Sequence, residues 1–386
     1  MDIIKQTYLY SAFILALLLA ACSSDSDVST GEQGQEQGQL LHLMAGRQNY
    51  GDVEIGTRRA FSVAMGDGTA LYDLLSTPGA SIRVYITASG RLDFYGDFSY
   101  DQTENEWTKK VPFDNETYYI YGFMPSSLMN TATIAPYGGT NYANGAVLTI
   151  GNVPSQMTED FSAIVGVKRA NGKTGDIATA EMQRGQFSYT VNRTDADNYV
   201  YILLDHVYAC LRFTIAVDDD YYQLRKIHLK EFSVTPSAAR FTVRTTLLPD
   251  NVSPLAATFI KTADTAEGSG AQPLWEGSKD IPINKVPEAV GEEPTPLYGE
   301  SDFRSLYIAP SADNAEFTIH CVYDVYDKDG KNLIRKDCTS SNKLSLSGVN
   351  LQPGDRYTVP LIIMPTYIYV LSDPDLDNPG IPDITL

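Results

Sequence analysis

The chain has 386 residues, 43% of them hydrophobic, enough for two domains of ordinary size with real cores. Its 48 Asp and Glu against 29 Lys and Arg leave a net charge of −19. That balance argues against nucleic acid as a partner, because phosphate contacts need Lys and Arg, and against adhesion to a bare anionic membrane.

The N-terminus reads MDIIKQTYLYSAFILALLLAACSSDSD. Lys5 and the α-amine precede an apolar run whose uninterrupted core is too short and one-sided for a membrane-spanning helix, so residues 1–21 read as a signal peptide. Leu19-Ala20-Ala21-Cys22 resembles the bacterial lipobox, with cleavage between Ala21 and Cys22 and lipid on Cys22. The alternative is an ordinary secretory signal with an incidental Cys. The Ser and Asp of SSDSD resemble the acidic export signal of surface lipoproteins in the Bacteroides group. Residues 22–39, which include the polar STGEQGQEQGQ, form a flexible tether. As a random coil its 18 residues span about 25 Å, which lifts the body off a membrane.

Beyond the tether, alternation replaces helical periodicity. In SIRVYITA, Ile82, Val84 and Ile86 share a face. In CLRFTIAV, Leu211, Phe213, Ile215 and Val217 do; in RYTVPLIIM, Tyr357, Val359, Leu361 and Ile363 do. Short strands set between Gly, Pro, Asn and Asp clusters predict an all-β chain of β-sandwiches. Thr69–Leu75 reads as one short helix. The polar stretch NRTDADN divides the body into residues 60–196 and 197–365, and Thr262–Pro296 reads as a long loop.

The remaining cysteines are Cys210, Cys321 and Cys338. The segment from His320 to Cys338 reads as a hairpin turning on Asp329-Gly330. Opposed residue numbers then sum to 659, so Asp324 faces Arg335 and Cys321 faces Cys338, close enough to bridge in an oxidising compartment. Two unbridged Cys are the alternative.

No motif for catalysis emerges. The four histidines, His42, His206, His228 and His320, lie outside any H-E-x-x-H and read as structural. There is no G-x-S-x-G elbow, and Gly66-Asp67-Gly68 lacks the rest of a dinucleotide fingerprint. Asp373-Pro374-Asp375-Leu376-Asp377 lacks the Gly and Glu of a calcium loop. Tyr118-Tyr119 and Tyr221-Tyr222 are candidate platforms for sugar stacking, although Trp is nearly absent (Trp107 and Trp275).

Residues 366–386 read TYIYVLSDPDLDNPGIPDITL. Tyr367, Tyr369 and Leu371 alternate as in a half-buried strand. Pro374, Pro379 and Pro382 lack N–H donors and keep the following stretch from pairing in its own sheet. Ile381, Ile384 and Leu386 are too few for a core and enough to enter pockets on a neighbour; the alternative is a final strand followed by a disordered end.

The order of these features resembles the fimbrillin family of Bacteroides-type (type V) pilins, with its major and minor fimbrial subunits and tip proteins. The stretches that carry it are YYIYGFMP (Tyr118–Pro125), LLDHVYACLRFTIAVDDDYYQLRKIHLKEFSV (Leu203–Val234) and YVLSDPDLDNPGI (Tyr369–Ile381). The resemblance implies two tandem transthyretin-like β-sandwich domains and no enzyme activity or cofactor. It implies a palmitate-bearing Cys22 anchored in the outer membrane before the chain joins a surface fimbrium. Residues 40–59 would hold a removable first strand, QLLHLMAGR, and a linker that a trypsin-like protease cuts. Arg58 or Arg59 is the expected site, with Arg47 next; ordinary surface arginines are the alternative. Cleavage opens a groove that a strand from another pilin subunit fills, and Tyr367, Tyr369, Leu371, Ile381, Ile384 and Leu386 would be this chain's donor tail. Partners are then other subunits, the protease, and a host or bacterial surface receptor. The alternative function is that of a glycan-binding surface lipoprotein of a polysaccharide-uptake system.

Overall fold

The structure is a computed structural model. It describes residues 38–47, 50–54, 81–101, 103–104, 106–113, 117–170, 184–191, 194, 197–235, 239–249, 255–264, 271–275, 277–289, 291–299, 302–311, 316–346 and 349–364. The signal peptide, Cys22, most of the tether, Arg58, Arg59, the Thr69–Leu75 segment and the tail from residue 365 onward lie outside these residues.

The chain is all-β. In order the elements are β1 (Gln39–Arg47), β2 (Gly51–Glu54), β3 (Ser81–Ala88), β4 (Arg91–Asp101), β5 (Glu106–Val111), β6 (Thr117–Met124), β7 (Ala132–Pro136), β8 (Ala146–Pro154), β9 (Gln156–Met157), β10 (Ser162–Ala170), β11 (Ser188–Thr190), β12 (Asp197–His206) and β13 (Ala209–Val217). A short helix α1 (Asp219–Leu224) follows, with Asp218 as its N-cap. Then come β14 (Lys226–Thr235), β15 (Ala239–Leu247), β16 (Ala257–Asp264), β17 (Gln272–Pro273), β18 (Ile281–Pro282), β19 (Thr295–Pro296), β20 (Leu306–Ile308), β21 (Glu316–Tyr326), β22 (Leu333–Ser345) and β23 (Asp355–Ile363).

Sheet A has the order β10-β12-β1-β5-β4-β3-β6-β11, and β10 also pairs with β6. Seven strands thus close into a barrel-like ring, and β11 hangs on β6. The ring encloses an apolar core that includes Ile82, Val84, Ile86, Phe98, Trp107, Val200, Ile202 and Leu204. Gly122 on β6 sits where a Cβ would come within 2.3 Å of the Arg83 carbonyl oxygen on β3, so the residue type sets how closely these strands approach.

Sheet B runs β2-β23-β13-β20-β9, with β19 also on β13, and sheet D runs β17-β14-β21-β22, with β18 also on β14. The alternating apolar residues of β13 and β23 (Leu211, Phe213, Ile215, Val217, Tyr357 and Val359) meet Ile227, Leu229, Phe232 and Val234 of β14 in one core. This is a two-layer sandwich, and the two-residue period is what makes it. Sheet C, β16-β15-β8-β7, draws strands from both halves of the chain. It packs on the outside of sheet A through Leu148, Ile150, Phe241 and Val243 against Tyr85, Tyr121 and Phe123.

Two expectations shift. The boundary after residue 196 falls inside sheet A, because β12 pairs with β1 and β10. NRTDADN joins two strands of that sheet. The chain crosses between the halves at Val207-Tyr208, a two-residue step that is itself buried and so carries none of the polarity that marks a linker.

The second shift concerns the cysteines. The hairpin does turn about Asp329-Gly330: the Asp327 amide donates to the Asn332 carbonyl at 2.9 Å, and Gly330 has φ +69°. Two register shifts on β22, one near Asp337 (φ +54°), then move the pairing by two residues. Cys321 faces Ser340 and Cys338 faces Tyr323. The two residues become diagonal neighbours, about 7–8 Å apart in such ladders rather than directly opposed, and both thiols are free. Intact mass with and without reductant will therefore differ by no disulfide hydrogens. Gly122→Ala will lower stability by about 1–3 kcal/mol in chemical denaturation, as overpacking does.

Candidate functional site

The site follows from the placement of β1. The alternation of Leu41, Leu43 and Ala45 turns these residues into the sheet A core, and Met44 faces the opposite core. The strand lies between two partners. It pairs in parallel with β12 from Leu40↔Asp197 to Arg47↔Leu204, and antiparallel with β5 from Gln39↔Val111 to Leu43↔Trp107. Leu41 and Leu43 are fully buried. A few residues on, β2 pairs in parallel with β23 at the edge of sheet B. One N-terminal segment therefore completes two sheets.

Polar contacts fix it along its length. His42 Nδ1 lies 2.8 Å from Glu106 Oε1, and the imidazole stacks on Tyr199. At the far end, the Arg47 guanidinium donates to Asp160 Oδ2 at 3.0 Å, and Tyr50 Oη donates to Asp160 Oδ1 at 2.8 Å. His206 Nδ1 is 2.8 Å from Asp160 Oδ2, and Tyr50 stacks on the His206 ring with centroids 3.5 Å apart. Arg47, Asp160 and His206 are all buried. Burial pushes the Asp160 carboxyl up, yet the His206 and Arg47 charges and the hydrogen bonds from His206 and Tyr50 outweigh it and hold the group at about 2. Burial, reinforced by Asp160, drives the Tyr50 hydroxyl far above its usual range, so it stays protonated and donates. Tyr307 of β20 stacks on Tyr50, which brings sheet B into the cluster. Beyond it, Asp52 accepts two hydrogen bonds from Arg356, at 2.6 and 3.0 Å, and lies 3.6 Å from Arg212.

These groups hold a strand in place. Asp160 and His206 are buried, and among the described residues no group of three or more His, Cys, Asp or Glu could hold a metal. The histidines are partnered: His228 with Asp280 at 2.7 Å and His320 with Thr235 at 2.8 Å, besides the two above. Each candidate sugar platform keeps one partly exposed ring, Tyr119 or Tyr222. Tyr118, Tyr221, Trp107 and Trp275 are buried, and Lys226 Nζ sits over the Tyr222 ring at 3.1 Å. Among the described residues, Tyr137 is the exposed large aromatic.

Of the arginines expected at a cleavage site, Arg47 is 5% exposed and paired with Asp160. A protease that must take the side chain into its own pocket does not reach it in this state. Arg58, Arg59 and the six tail residues lie outside the described residues. Sequence reasoning missed Asp160, Glu106, Tyr50 and the Asp52–Arg356 pair. No motif marks them; their only signal is that a strand of the QLLHLMAGR pattern carries His and Arg into a buried position and so needs carboxylates opposite.

No family model and no curated protein matches the sequence. Solved structures do. The chain is similar to a fimbrial protein from Bacteroides vulgatus, at 15% identity and TM-score 0.39, over 84% of this chain and 96% of that one. It is similar to a candidate cell adhesion protein from Parabacteroides distasonis, at 11% identity and TM-score 0.39, over 84% and 89%. It is also similar to candidate polysaccharide binding proteins from Bacteroides thetaiotaomicron, at 9% identity and TM-score 0.31, over 77% and 78%.

Asp160 ties the fold to pH with a definite sign. Its folded value, about 2, lies below the ordinary carboxylate value, so its contribution is fully present above about pH 4 and is lost as pH falls towards 2. Denaturation between pH 2 and 6 will show that slope, and Asp160→Asn will flatten it. Arg47→Ala, which takes one of three partners from a buried carboxylate, will cost at most about 3–5 kcal/mol at neutral pH, the figure for a pair broken outright.

Proposed function

We propose that this chain is a structural and adhesive pilus subunit. It is exported as a surface lipoprotein through Cys22, with a palmitate anchor in the outer membrane. A trypsin-like protease cuts after Arg58 or Arg59, and the chain then assembles with other pilin subunits by strand donation. The observation that supports this reading is β1: a buried strand, hydrogen-bonded on both sides, supplied by a segment that ends ahead of a double-Arg linker. Removing it exposes two parallel rows of unpaired N–H and C=O groups and the empty places of Leu41, Leu43 and Ala45, the requirements for strand addition. Because β2 lies on the same segment, a cut at Arg58 or Arg59 releases both strands, whereas a cut at Arg47 leaves β2 in place. The tail with Tyr367, Tyr369, Leu371, Ile381, Ile384 and Leu386 is the element donated onward. Contacts of this head-to-tail kind extend into filaments.

N-terminal sequencing of the chain recovered from surface polymer will start at Arg59 or Ala60. Recovery of a chain that still begins at Cys22 counts against processing. Deletion of Thr366–Leu386 will prevent the processed chain from supporting the next subunit, read as shortened polymer by electron microscopy; unchanged polymer length rejects the donor role.

A further inference from the structure

Given the strand-exchange reading above, the walls of the slot specify what an incoming strand must carry. Asp160 is the decisive group. Three partners hold its charge: His206 belongs to the body, while Arg47 and Tyr50 belong to the departing segment. Once that segment leaves, a buried carboxylate keeps His206 alone. Further along the slot, the loss of Asp52 leaves Arg356 and Arg212 without the carboxylate they share. The vacated path thus presents an anionic wall where Arg47 lay and a cationic one where Asp52 lay. Apolar pockets lie upstream at Leu41, Leu43 and Ala45.

The chain's own tail does not match this pattern. Residues Thr366–Leu386 hold four Asp (Asp373, Asp375, Asp377 and Asp383) and no Lys, Arg or His. In no register or direction does it deliver a cation to Asp160, and any acid near that wall is repelled. Its carboxylates suit only the Arg356–Arg212 end. Leaving a buried charge without its partner is strongly unfavourable, more so than leaving a surface pair incomplete.

We propose that the slot is filled by a strand from a different polypeptide, one with Lys or Arg at the place of Arg47 and an acid at the place of Asp52, and that it rejects this chain's own tail. Assembly through this groove is then between unlike chains.

The test uses the full chain, nicked in the 56–59 linker with its first strand still bound, and follows exchange of fluorescent peptides. The probes are residues 39–54, the same peptide with Arg47→Lys or Arg47→Leu, and residues 366–386. The native and Arg47→Lys peptides are expected to enter with similar affinity. The Arg47→Leu and tail peptides should bind about 100-fold more weakly, and Asp160→Asn in the nicked chain should narrow that gap. The peptide substitutions keep the comparison decisive even if Asp160→Asn fails to fold. Entry of the tail or Arg47→Leu peptide within a few-fold of the native one overturns the charge rule alone, as does polymer formed by the nicked chain by itself. Failure of every peptide, the native one included, overturns strand exchange and this inference with it.

Discussion

Everything about the N-terminal segment turns on one buried ion pair, Arg47 with Asp160, enclosed by His206 and Tyr50. It lies where sheet A ends and sheet B begins, since Tyr50 also stacks on Tyr307 of β20. A buried pair of this kind adds little net stability compared with an apolar substitute, yet it is costly to break. Its value is positional. A slip of β1 by one residue would reverse the faces of Leu41 and Leu43 and also draw the guanidinium away from its carboxylate.

The pairing of β1 also sets how the molecule closes. Leu40 pairs with Asp197 across most of the first half of the chain. Such distant contacts carry a loop-closure cost that neighbouring hairpins avoid. The other strands of the ring, β5-β4-β3-β6 and β10-β12, connect without β1. The first strand is therefore the closing stave, and its seat has well-formed walls on both sides. A closed ring has almost no free edge, so with β1 in place sheet A offers little to a stray strand.

Much of this was legible in the sequence because the two-residue period is local. The runs around Ile82–Ile86, Leu211–Val217 and Tyr357–Val359 fall on the core faces that their alternation dictates. What escaped was set by non-local geometry. NRTDADN looks like a linker because it is polar, but its polarity serves a connection within sheet A; the true crossing at Val207-Tyr208 is buried and leaves no compositional trace. The turn at Gly330 was visible, while the bulge at Asp337 that separates Cys321 from Cys338 was not, since any short polar residue tolerates that conformation. Asp160 belongs to the same class: an acid in a loop, next to Glu159, acquires meaning only when Arg47 and His206 arrive from strands far away in the chain.

The direction in which β1 lies has a mechanical side. Its ladders to β12 and β5 run along the strand, with the bonds across it. A pull on Gln39 directed along that axis loads the whole row of bonds together in shear and does not unzip it from one end. The barrel is in this sense a clamp whose grip grows with the length of the ladder, and the buried charge at Arg47 sits at the end of the strand farthest from the pull, where slippage would first have to drag it out of its pocket.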